Sequence, residues 1–82
     1  MADEDVVNTF QGAVASLEFD QDTGWCTAVL GNADGSVTVT TLEPRMQTLL
    51  EAAFVKSLQA TISYQSGSDE LLSVKIVATV NL

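Results

Sequence analysis

Thr41-Leu-Glu-Pro-Arg-Met-Gln-Thr-Leu-Leu-Glu-Ala-Ala-Phe-Val-Lys-Ser-Leu58 is the stretch of the chain whose apolar residues recur at helical spacing. Leu42, Met46, Leu49, Leu50, Ala53, Phe54 and Leu58 follow one another at offsets that a 3.6-residue repeat gathers onto one broad face. Arg45, Gln47, Glu51 and Lys56 fall opposite. Pro44 belongs in a first turn, where its missing N–H costs nothing, and it pushes Glu43 toward extended geometry. Glu43 is therefore the expected N-cap, with Thr41 as the alternative. The stretch decides the fold because the segments on either side alternate with a period of two. A lone helix among strands has a sheet to cover.

Upstream, residues 6–19 read as one long strand whose apolar phase changes partway. Phe10 is out of step with Ala13, Ala15, Leu17 and Phe19, and Gly12, between the two registers, marks the expected bend. Asp20-Gln21-Asp22-Thr23-Gly24 is a turn. Residues 25–30 form a second strand, apolar on both faces except at Thr27 and so expected to be covered on both sides. Asn32-Ala33-Asp34-Gly35 is hairpin chemistry, leading to a third strand over residues 36–40 with Val37 and Val39 inward. Downstream of the helix, Ala60, Ile62 and Tyr64 share a face of a fourth strand, and Ser66-Gly67-Ser68-Asp69-Glu70 is a polar turn. Residues 71–82 then present Leu72, Val74, Ile76, Ala78, Val80 and Leu82 on one face of a fifth. The order β-β-β-α-β-β predicts a mainly β fold with one helix: a single domain over residues 1–82, frayed over 1–5. It is the order of a five-stranded OB-like Greek-key barrel with its helix between strands three and four. A helix packed on a five-stranded antiparallel sheet is the competing architecture.

Composition narrows the function classes. A domain of 82 residues buries only about 60–65% of its unfolded surface, yet hydrophobic residues make up 46% of this chain and charged ones 17%. With Cys26 alone, no disulfide within the chain relieves the shortfall. Neighbouring copies are expected to cover what one helix cannot, including an outward Val14, so a homo-oligomer is predicted, a ring of about five favoured over a dimer. Three basic residues against eleven acidic ones give a net charge of −8, the wrong sign for nucleic acid or an anionic membrane surface. The start of the chain lacks signal-peptide character and no apolar run approaches the ~20 residues of a membrane helix. The expected compartment is cytoplasmic, or extracellular had a leader been removed.

The chain contains no histidine, which removes the commonest general base and metal ligand together with every Ser-His or Cys-His pairing. No enzymatic activity and no cofactor are expected. Cys26 lies in an apolar strand without a nearby cation and reads as a buried structural thiol. Glu18, Asp20 and Asp22 offer carboxylates near a turn, but Asp20-x-Asp22-x-Gly24 lacks the later bidentate Glu of a calcium loop, and turn formation accounts for it. The candidate ligand-binding residues are Trp25 and Tyr64, aromatic side chains with polar handles suited to a sugar ring or an interface, together with Asn32 and Asp34 of the hairpin.

The run from Trp25 through Asn32-Ala33-Asp34-Gly35, the strand after it, the long helix and the closing Ile76-Val77-Ala78-Thr79-Val80-Asn81-Leu82 resembles the layout of the B subunits of bacterial AB-type enterotoxins. The likeness spans roughly residues 14–82 and lies in the order and length of elements, not in a motif. It implies an OB fold, assembly in rings of five and binding of cell-surface sugars; the family's disulfide cannot form with one cysteine. The resulting expectation is a non-catalytic oligomeric binding module, a small-ligand or glycan-binding ring. The alternative is an acidic cytosolic module that docks on another protein.

Overall fold

A computed structural model describes residues 6–76. Its elements run β1 (Val7–Phe19), β2 (Cys26–Asn32), β3 (Gly35–Thr41), α1 (Pro44–Lys56), β4 (Gln59–Gln65) and β5 (Leu71–Ile76). The strands form one antiparallel sheet in the order β3-β2-β1-β4-β5, so the fold is mainly β with a single helix, as the periodicity predicts. The long first strand makes this possible. Residues 7–13 of β1 pair with β4, and residues 13–19 pair with β2. The outer strands then curve toward each other until Thr40 and Glu70 form a parallel bridge, the Thr40 N–H donating to the Asp69 carbonyl at 3.0 Å. One bridge does not close a sheet: among the described residues this is a partly open barrel. The expectations for Ala78, Val80 and Leu82, and for residues 1–5, lie outside the described residues.

The phase change in β1 is present, but it falls at Ala15 and not at Gly12. Register slips between Val14 and Ser16, a β-bulge that turns the side chains over. Val14, expected outward, is therefore buried with the core, while Ala15 and Phe19 are exposed. Gly12 has a different task. A Cβ at that position would lie 2.4 Å from the Gly31 carbonyl oxygen, so the absence of a side chain is what lets the strand coil against β2.

Cys26, Ala28 and Leu30 of β2, Val39 of β3, Ala60 and Ile62 of β4 and Leu71 of β5 point into the core. The opposite face of β2 is only half-covered at Thr27 and Val29, so this strand is not sealed on both sides as expected. A second bulge, between Ser63 and Tyr64, shifts the β4–β5 register. It brings Leu71 into the core and leaves Leu72 exposed, reversing the expected face at that position.

The helix begins as its sequence dictates. Glu43 is extended (φ −79°, ψ 117°) and its Oε1 accepts from the Arg45 N–H at 2.8 Å and the Met46 N–H at 3.2 Å, while the Thr41 hydroxyl oxygen accepts from the Glu43 N–H. It ends with Ser57 left-handed (φ 56°) and the Leu58 N–H bonded to the Ala53 carbonyl, closing the last turn. Leu50 and Ala53 are buried, and Met46 and Leu58 pack beside them. Leu42, Leu49 and Phe54 remain exposed, so the apolar face is wider than the sheet beneath it.

Candidate functional site

An open groove of about 440 Å³ lies where the β1–β2 turn meets the outward side of β2 and β3, lined by Glu18, Asp20, Thr23, Trp25, Thr27 and Thr40. Strand pairing assembles it. Glu18 stands opposite Thr27 across β1–β2, and Thr27 stands opposite Thr40 across β2–β3, making a row across three strands. Trp25, the residue just before β2, lines the same groove. The volume lies within the range typical of small-ligand sites.

The rim is fixed by its own hydrogen bonds. Asp20 Oδ1 accepts from the Asp22 N–H at 2.9 Å and from the Thr23 N–H at 3.4 Å. The Asp20 N–H donates to the Trp25 carbonyl, and the Gly24 N–H to the Asp20 carbonyl. Gly24 holds φ +84°, a conformation that favours glycine. From the helix, Gln47 Nε2 donates to the carbonyls of Gly24 and Thr41, tying α1 to both the turn and the end of β3. Trp25 is thus presented on a braced turn, with 36% of its surface exposed. Chemically the groove offers an aromatic face, two carboxylates and three threonine hydroxyls, with no basic side chain.

Of the four sequence candidates, Trp25 lines this groove and the others lie elsewhere. Asn32 and Asp34 are at the far end of β2, a strand of seven residues. Asn32 Oδ1 accepts from the Asp34 and Gly35 N–H groups, and its Nδ2 donates to the Gln11 carbonyl at 2.7 Å, so this side chain builds the hairpin and ties it to β1. The positive φ of that hairpin, +152°, is held by Gly35. Tyr64 is half-buried in β4, across from Asn8 and Leu71 and packed against the core. Thr23, Thr27 and Thr40 were not candidates on sequence. Thr27 carried the nearest signal, as the polar interruption of an otherwise apolar strand.

Cys26, next to Trp25 in the chain, points the other way and is fully buried. Burial pushes its thiol above the ordinary cysteine range, and the Glu51 carboxylate adds to the effect. Among the described residues, no group of three or more Cys, Asp or Glu side chains is placed to hold a metal ion, and no helix is long and apolar enough to cross a membrane. No protein-family model, curated protein or solved structure matches this chain.

Proposed function

We propose that this protein is a non-catalytic binding module whose groove takes a polyhydroxylated small ligand, a glycan ring stacked on Trp25. The observation that carries the reading is a partly exposed tryptophan at the head of a hydroxyl-lined strand face. An indole presents a flat apolar surface to the C–H side of a pyranose, and threonine hydroxyls both donate to and accept from sugar hydroxyls. Location supports it by analogy: OB-type barrels bind oligosaccharides and oligonucleotides on the face of strands two and three beside the first loop. The −8 charge favours the saccharide over the oligonucleotide. Calorimetric titration against a panel of oligosaccharides tests this. Trp25→Ala should weaken the best binder about 30-fold, the equivalent of losing one central aromatic contact. An unchanged affinity in that variant, or no binder in the panel, would sink the proposal.

The module is further proposed to work as a homo-oligomer, a ring of about five favoured. Support comes from Phe19, Leu42, Leu49, Phe54, Val55 and Leu72, large apolar side chains left exposed, and from a sheet that, among the described residues, is not closed beyond the Thr40–Glu70 bridge. Sedimentation equilibrium at micromolar protein in physiological salt is expected to give a multiple of the chain mass. A monomer mass throughout would remove the assembly claim and favour the acidic docking module instead.

A further inference from the structure

We infer that the groove selects a saccharide carrying a protonated amine over its neutral counterpart. This rests on the glycan reading above and adds to it the charge of the ligand. Glu18 and Asp20 are the ionisable groups of the lining, and both are acidic. No hydrogen bond or ion pair engages the exposed Glu18 carboxylate among the described residues. Asp20 uses Oδ1 for the turn, and its Oδ2 has no partner there. A carboxylate only accepts hydrogen bonds, whereas the threonines already serve hydroxyls in either sense. An ammonium brings three donors and a charge, matching two acceptor-only groups better than any neutral sugar substituent does. The face of Trp25 adds attraction for a cation, and the −8 field of the chain draws one in.

The experiment compares two probes of equal length by calorimetry: the trimer of β-1,4-linked glucosamine, with its amines protonated at mildly acidic pH, and the same trimer fully N-acetylated. The amine trimer should bind about tenfold tighter, the value of one charge-assisted contact. Glu18→Gln should weaken the amine trimer more than the acetylated one, Glu18→Lys should abolish the preference, and added salt should narrow the gap. Equal affinities, or a preference that survives Glu18→Lys, would overturn the charge selection while leaving the saccharide groove standing. Binding of other neutral oligosaccharides with neither trimer bound would also overturn it, whereas failure of every saccharide would overturn both readings.

Discussion

Gly12→Ala is expected to cost about 3 kcal/mol or more, lowering the thermal midpoint by roughly 10–20 °C. The added methyl would sit 2.4 Å from the Gly31 oxygen and 2.9 Å from the Gly31 carbonyl carbon, and a backbone carbonyl in the sheet cannot rotate away as a side chain can. Relief requires β1 and β2 to separate where their pairing begins, at Ala13 and Gly31. A domain of this length has roughly 4–12 kcal/mol of stability in all, so the loss is a large fraction of it. Gly31→Ala is the control. A Cβ there meets nothing closer than 3.7 Å, an ordinary contact, and should be nearly neutral. Thermal melts of the pair decide the matter: if Gly12→Ala proves as benign as Gly31→Ala, the close approach of the two backbones is wrong.

Leu50→Ala is expected to cost about 2–5 kcal/mol, by loss of burial and by the cavity left behind. Leu50 is fully buried, and with Ala53 it forms the buried face of a helix that packs against β1, β4 and β5. Little else in α1 can compensate. Leu49, one position earlier and 38% exposed, gives the comparison: its truncation should cost less than about 1 kcal/mol. Chemical denaturation of both variants measures the difference. Similar midpoints would mean that the helix docks on a different face.

The order of elements was legible because each carries a local signature. Pro44 after Glu43 marks the cap, Asn32 through Gly35 marks the hairpin, and the shift of apolar period marks the helix. Features that depend on partner strands were not legible. The bulge at Ala15 leaves no trace in composition, whereas Gly12 stands out in the strand pattern although its role is a close approach to Gly31. Leu72 went to the wrong face for the same reason, since a bulge against β4 moves side chains that alternation alone would place inward. The groove was the least accessible. Glu18, Thr27 and Thr40 lie far apart in the chain and meet only through the registers of two strand pairs. Trp25 could be named in advance because an aromatic side chain just after a turn is conspicuous without neighbours.

The sheet order β3-β2-β1-β4-β5 also bears on how the chain reaches its fold. Three of its four antiparallel pairings, β1–β2, β2–β3 and β4–β5, join consecutive strands. The β1–β4 seam is different: Val7 meets Gln65 across β2, β3 and α1. Its loop-closure entropy must be met before any of its hydrogen bonds form, while the consecutive pairs close short loops. The seam is therefore expected to form after the consecutive pairs, and on the ribosome the first half of β1 waits without its partner until β4 has emerged.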